Sequence, residues 1–438
     1  MQYKDSIHSN DLSDSYYSAY RRDIDMFDRL EGAVDVDVAI VGAGFSGISA
    51  ALQLAEKGFK VVVLEQNQVG WGASGRNGGQ LIGGYGQDLA NYEDIKNTFG
   101  SDNAKAVFDM GIECVDIVSD VIEKYNIDCD LKWGYLDAAM KKSELKELQE
   151  TAETMERLGY PHKMQCYTDK SSLKEVIDSN QYMGGLVNMG WGHLQPLDLV
   201  RGEARAAQRL GVKIYEEIEV IEIERGDRVS LKTRKGQVSA AQVIVAGNAY
   251  LGKLEPKLAA RVLPAGSYII ATERLEPEVI NRLMPADYAV CDQRWALDYF
   301  RMSADGRLLF GGLANYSARH PASIKKALLP NMLKVFPQLD DVRIDYEWGG
   351  YIGIGLNRIP QVGQLDHNIY YAQAYSGHGV APTHMSARLI TEAISGDKSR
   401  FDIMAKVRHK AFPGGRLFRQ PLLAAGMSFY KFRDMIGL

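Results

Sequence analysis

The chain has 438 residues, 46% of them hydrophobic and 24% charged, and a formal net charge of −5. That size and apolar content suit two or three domain-sized units around a large core, and the acidic balance offers no basic footprint for nucleic acid. Four cysteines (Cys114, Cys129, Cys166 and Cys291) stand far apart with no CxxC pair, which argues against a metal centre or a disulfide framework and fits a reducing compartment.

Residues 1–32 are polar and tyrosine-containing and read as an arm on the surface; they lack the apolar core of a leader peptide. No run approaches the roughly 18 apolar residues of a membrane span, so the cytoplasm is the default location. Residues 34–41 form a short apolar strand broken by Asp35 and Asp37, and Gly42–Gly47 a glycine-rich turn. Phe45, Ile48, Ala51, Leu52 and Ala55 then recur at helical spacing until Gly58 stops the helix. Residues 60–64 are a second strand ending at Glu65, which completes a βαβ unit.

The turn reads Gly42-Ala43-Gly44-Phe45-Ser46-Gly47 in the strand–turn–helix setting that a dinucleotide fingerprint requires. Gly42 permits the tight turn, Gly44 lets backbone approach a pyrophosphate, and Gly47 allows close helix–strand packing. The helix start at Phe45 and Ser46 offers N–H groups to the anion. Glu65, with Gln66 beside it, stands where a carboxylate accepts from ribose hydroxyls and repels a 2′-phosphate.

Two further segments favour a flavin over a nicotinamide. The loop Gly72-Ala73-Ser74-Gly75-Arg76-Asn77-Gly78-Gly79-Gln80 can wrap a pyrophosphate and ribityl chain, with Gly78 and Gly79 letting backbone approach a flat ring. Tyr375-Ser376-Gly377-His378-Gly379-Val380 opens a late helix whose positive end can face the pyrimidine edge of that ring. There the backbone is expected to matter more than the His378 imidazole, which reads as a cap.

Between these segments, residues 91–158 read as mainly helical, and residues 196–210 as a helix with Asp198 near its start and Gly211 closing it. Residues 212–223, 229–233 and 243–246 read as strands, the last followed by Gly247. Residues 263–347 alternate strand and helix, 349–363 are glycine-rich, and 369–372 are a strand before the final long helix, which ends near Gly396. The tail from Arg400 is basic. Its stretch 421–435 mixes apolar residues with Lys431 and Arg433, as in a helix packed on the protein itself or, less simply, one lying on a membrane surface.

These segments together resemble the D-amino-acid-oxidase-like family of FAD oxidoreductases. The resemblance rests on GAGFSG, GASGRNGGQ, Ala246-Gly247-Asn248, Arg307-Leu308-Leu309-Phe310-Gly311-Gly312 and SGHG. The full GASGRNGGQ string and Phe412-Pro413-Gly414-Gly415-Arg416 are similar to the branch that oxidises gamma-glutamylputrescine. The resemblance implies an α/β fold: a Rossmann-type FAD-binding domain and a discontinuous α+β domain whose sheet covers the flavin. Expected boundaries are a 1–32 arm; an FAD domain over 33–90, 191–262 and 348–398; a substrate domain over 91–190 and 263–347; and a basic tail over 399–438. Val220 and Gly350 join the expected cofactor contacts.

The implied chemistry is hydride transfer from a C–N carbon to flavin N5, giving an imine and then an aldehyde, with oxygen as acceptor and hydrogen peroxide as product. Rival readings are a dehydrogenase passing electrons to a quinone or carrier, and a flavin-binding protein without turnover. Relatives acting on small α-amino acids often clamp the carboxylate with an arginine in a W-x-G-x-R segment. Here Trp348-Gly349-Gly350-Tyr351-Ile352 places isoleucine there, which favours an amine with a distant or absent carboxylate, such as gamma-glutamylputrescine or a related polyamine derivative. No cysteine follows Cys291, so FAD is expected to be non-covalent. Trp295, Tyr299, Trp348 and Tyr351 are candidates for an aromatic cage around the amine, while Asp298 and Arg301 are expected to pair or orient strands.

Overall fold

The computed structural model describes residues 14–413 except 25, 87–90, 295–296 and 316–320. Two sheets organise it. The first has the order Gln361–Asp366, Ile369–Gln373, Gly236–Val245, Gly32–Val41, Val61–Leu64, Lys213–Tyr215, with the hairpin Val220–Glu224 and Val229–Thr233 attached to Gly236–Val245. Gly32–Val41 pairs in parallel with both of its neighbours. A parallel strand is covered on both faces, which is why Val61–Leu64 is apolar throughout and fully buried.

Alternation along the central strand sets the layers. Val38 and Ile40 face a core shared with helices Phe45–Glu56, Ser101–Tyr125, Pro196–Arg209 and Val380–Ile394. Ala39 faces the opposite core, with Val229 and Leu231 of the hairpin. Strands Gly32–Val41 and Val61–Leu64 with helix Phe45–Glu56 make the expected βαβ unit.

The second sheet runs Ile344–Ile354, Leu263–Thr272, Leu308–Asn315, Tyr299–Met302, Ala289–Asp292, Lys132–Ala139, Gly184–His193, Gln80–Leu81, with Met164–Tyr167 beside Gly184–His193. One face carries Leu136, Ala138, Ile270, Val290, Phe300 and Phe310 into a core with helix Ile324–Val335. The other face looks towards the first sheet across a cavity.

Several elements differ from the sequence reading. Residues 91–158 are mainly helical as expected, but they also hold the strand Lys132–Ala139. The stretch 212–223 is not one strand. It breaks at Glu216 and Glu217, where Glu217 takes φ +57° and the buried Glu216 accepts N–H groups from Phe27 and Val69 at 3.0 and 2.6 Å. The glycine-rich 349–363 begins inside the long strand Ile344–Ile354, whose glycines leave room for Tyr268 and Arg76.

The described part of the amino-terminal arm is not a surface appendage. Tyr16 and Tyr17 are buried, and Arg22 pairs with Asp128, Asp130 and Asp198. At the other end, Phe412 is buried and donates its N–H to Ala260 O at 3.0 Å; the tail stretch 421–435 lies outside the described residues. No helix among the described residues is long and apolar enough to cross a membrane.

Candidate active site

A single cavity of about 1370 Å³ runs from Glu65 to the face of the second sheet. It exceeds the ~300–1,000 Å³ of a typical small-ligand pocket, which suits a dinucleotide together with a substrate.

At the nucleotide end the first turn is held open by contacts a side chain would destroy. A Cβ on Gly42, at φ +105°, would meet Ala246 O at 2.9 Å; one on Gly44 would meet Ser74 Oγ at 2.8 Å; one on Gly47 would lie 2.0 Å from Gly42 O. Gly44 therefore lines the cavity, whereas Gly47 is a packing contact behind it. Phe45 N–H donates to Ser74 Oγ at 2.9 Å, joining the turn to the second loop.

The Glu65 carboxylate accepts from Ala43 N–H at 2.7 Å and from Asn67 N–H at 2.9 Å. Burial pushes its pKa up, opposed by these backbone bonds. Each oxygen keeps a second lone pair for a ribose hydroxyl. Gln66, Val220 and Gly247 line the same end.

The 72–80 loop forms the middle of the cavity. Asn77 Nδ2 donates to Ala73 O and Ser74 O at 3.1 and 2.9 Å, and Asn77 Oδ1 accepts from Gly79 N–H at 2.8 Å. Arg76 Nε donates to Trp71 O at 2.7 Å, and Arg76 Nη1 to Gly349 O at 3.2 Å. Gly78 and Gln80 line the cavity, and a Cβ on Gly78 would meet the Tyr299 ring at 2.7 Å. Gly72 lines the wall near Tyr250, while Gly79 lies behind it, where a Cβ would meet Leu194 O at 2.0 Å.

Arg301 holds this loop from below. It donates from Nε to Gly78 O at 2.7 Å, from Nη2 to Leu194 O at 2.8 Å, and from Nη1 to Met302 O at 3.1 Å. It is 3% exposed and does not face the cavity. Asp298 pairs instead with Arg294 and Asn331.

The late segment closes the same space. Gly377, His378, Gly379 and Val380 line it, at the N-terminus of helix Val380–Ile394. His378 Nε2 lies 3.0 Å from Gly83 O, and burial lowers its pKa, so the ring is neutral and structural. Tyr375 OH meets Ser46 Oγ at 2.8 Å, tying the two helix starts together. Gly350 lines the wall because a Cβ there would meet Arg76 Cδ at 2.9 Å. Two helix N-termini, a glycine cradle and a ribose-height carboxylate on one cavity fit FAD.

The aromatic candidates separate. Tyr299 lines the cavity, its OH 3.1 Å from Ser267 Oγ. Tyr351 also lines it, its N–H donating to Tyr250 OH at 2.8 Å. Trp348 does not. It is fully buried, edge-on to Tyr17 at 5.3 Å, with Nε1 donating to Arg76 O at 3.0 Å. Its strand presents it on the cavity face, but the arm and Arg76 cover that end of the sheet. Trp295 lies outside the described residues. Ile352 lines the cavity where the clamp arginine was absent from the sequence.

The sequence reading missed Tyr135, Asp137, Trp191, Ser267 and Cys291, which line the cavity with Tyr299. Register explains the grouping: Asp137 is opposite Cys291, and Cys291 opposite Tyr299, so all three share a face. A signal existed in the period-two pattern of Tyr135, Leu136, Asp137 and Ala138, but Gly134 obscures it. At φ +114° and beside a register shift, it makes a bulge that resets which residues face in.

Known proteins give the same picture. The profile of the family described as FAD dependent oxidoreductase matches residues 37–393. The gamma-glutamylputrescine oxidoreductase of Escherichia coli is 44% identical over 425 residues, covering 97% of this chain and 99% of that one. Among solved structures, glycine oxidase from Geobacillus kaustophilus superposes with a TM-score of 0.71 at 21% identity, over 86% of this chain and all of that one. L-proline dehydrogenase from P. horikoshii superposes at 0.69 and 19%, over 86% and 96%. At such identities these two speak to the fold alone.

Proposed function

The chain belongs to the FAD dependent oxidoreductase family, and from that premise we propose that it oxidises gamma-glutamylputrescine or a related polyamine derivative. Oxygen is the proposed acceptor, with imine, then aldehyde, and hydrogen peroxide as products. The observation that carries the reading is the composition of the chamber at the second sheet. It holds a carboxylate and aromatic rings, Asp137, Tyr135, Trp191 and Tyr299, and has Ile352 at the clamp position. The 44% identity to the Escherichia coli enzyme supports the same substrate.

Bound FAD would supply the hydride acceptor. The proposed cofactor contacts are those of the fingerprint turn, Glu65 and Gln66, the 72–80 loop, Val220, Gly247, Gly350 and 377–380. The chain's own work is positional. Asn77 and Arg301 fix the Gly78 backbone, and Ser267 fixes the Tyr299 ring packed against it, so that ring and loop together form one wall against which an amine is held. The low-dielectric walls of this partly enclosed space strengthen polar contacts inside it.

The domain division proposed from sequence has shared borders. Strand Ile344–Ile354 pairs within the second sheet, and helix Ser101–Tyr125 packs in the helical layer of the first. Comparison of peroxide formed with dye reduced, per amine consumed, tests the acceptor. One peroxide per turnover supports an oxidase; turnover only with a quinone or dye supports the dehydrogenase.

A further inference from the structure

Asp137 makes none of the contacts that build the nucleotide cradle, yet it lines the chamber wall. It lies in strand Lys132–Ala139, with Tyr135 two residues before it on the same face and Cys291 opposite across the strand pair. Among the described residues, the one hydrogen-bond partner of its carboxylate is neutral: Gln293 Nε2 donates to Oδ1 at 2.9 Å. No lysine, arginine or histidine among the described residues pairs with it. The nearby Arg294 is committed to Asp292 and Asp298.

The neighbours offer no charge to offset it. Burial raises the pKa values of Tyr135, Cys291 and Tyr299, so all three stay neutral through the physiological range. Trp191 stands edge-on to Tyr135 with ring centroids 5.6 Å apart. A carboxylate facing an aromatic chamber wall without a counter-ion is costly to keep ionised. Burial pushes its pKa up to about 7, with Gln293 opposing. A structural aspartate would be matched with a cation or several N–H donors. This one is matched by neither, and the chamber it faces is where the substrate must enter.

We propose that Asp137 is the residue that selects the amine, its carboxylate pairing with the substrate's ammonium group while the Tyr135 and Trp191 rings flank the cation. This rests on the amine reading given under the proposed function. Aromatic faces add to such a pair where water is excluded. Ionised Asp137 is the binding form, so affinity for an ammonium that stays protonated from pH 5 to 8 falls as pH drops below about 7. Tyr135, Cys291 and Tyr299 do not titrate there; burial also raises Asp298, but it pairs with Arg294 and Asn331 and does not line the chamber.

The test uses FAD-loaded enzyme and tert-butylammonium chloride, whose nitrogen-bearing carbon has no hydrogen to lose, against tert-butanol as its neutral isostere. Binding is read by calorimetry and by perturbation of the flavin spectrum. The wild type at pH 8 should prefer the ammonium by about tenfold or more, and the preference should vanish by pH 5. Asp137→Asn and Asp137→Ser should lose it at pH 8 while keeping FAD. Should neither variant fold, the wild-type pH series decides, since a preference unchanged from pH 8 to pH 5 overturns the assignment. No ammonium preference in the wild type overturns both this assignment and the amine reading. A preference retained in both variants overturns the role of Asp137 and leaves the amine reading standing.

Discussion

Glu65 gives one lone pair on each oxygen to the backbone, at Ala43 and Asn67, and leaves one on each for the ribose. Glu65→Gln turns one acceptor into a donor facing a backbone N–H, at a cost of about 1–3 kcal/mol. The purified variant should carry less flavin per chain, read as the flavin-to-protein absorbance ratio, and Glu65→Lys should carry none. A full complement in Glu65→Lys would misplace the nucleotide. Cys291 is the cysteine that reaches the cavity near the ring loop, but burial raises its thiol pKa well above the ordinary value. A protonated thiol is a poor nucleophile, so acid precipitation should release free FAD; flavin retained on the precipitated chain would contradict this. Asp137 also bears on stability. Its folded pKa of about 7 lies above the ordinary carboxyl value of 3.8, so the native state binds the proton more tightly than the unfolded chain. Its contribution is therefore most favourable below pH 3.8 and declines as pH rises to about 7. Asp137→Asn should raise Tm at pH 8, by on the order of 1–3 °C, and leave it unchanged near pH 3.5. A Tm at pH 8 no higher than that of the wild type would mean that the carboxylate is compensated there.

Among elements, the βαβ unit was legible because its signals are local. Gly42, Gly44, Gly47 and Glu65 do their work within one turn and one strand end, and the structure places them on one side of the first sheet. The 72–80 loop was legible for the same reason. Strand Lys132–Ala139 was not. Its inward face is one tyrosine and one aspartate, its bulge glycine shifts the alternation, and its partners Ala289–Asp292 and Gly184–His193 lie far along the chain. Trp348 shows the other limit. The sequence offered it as an aromatic-cage candidate, but only cross-strand register and the packing of Tyr17 place it at the covered end of the sheet. The ring loop offers an element-scale test. A Cβ at residue 78 would lie 2.7 Å from Tyr299 Cε2, so Gly78→Ala should displace the ring, lower kcat at least about tenfold, and leave FAD bound. Unchanged kcat would show that the ring does not confine the substrate.

At the scale of the molecule, the two sheets meet across one cavity, and Arg301 of the second sheet holds the 72–80 loop through Gly78 O. Buried neutral histidines add a pH limit to this assembly. Burial lowers His193 to about 3 and His409 to about 4. Both are depressed below the ordinary value of 6.5, so stability is intact above pH 6.5 and is lost as pH falls from there towards 3–4, where the unfolded chain takes up protons that the folded one refuses. Thermal scans from pH 7.5 to 4 should show falling Tm, with a shallower fall in His193→Gln; parallel curves would assign the acid sensitivity elsewhere. The proposed preference of this FAD enzyme for a long amine over a small α-amino acid is tested by steady-state turnover, with oxygen and with a dye, on matched concentrations of gamma-glutamylputrescine, putrescine, sarcosine, glycine and D-alanine. Gamma-glutamylputrescine should show the highest kcat/KM; a higher value for glycine or D-alanine than for both diamine-derived substrates would overturn the preference.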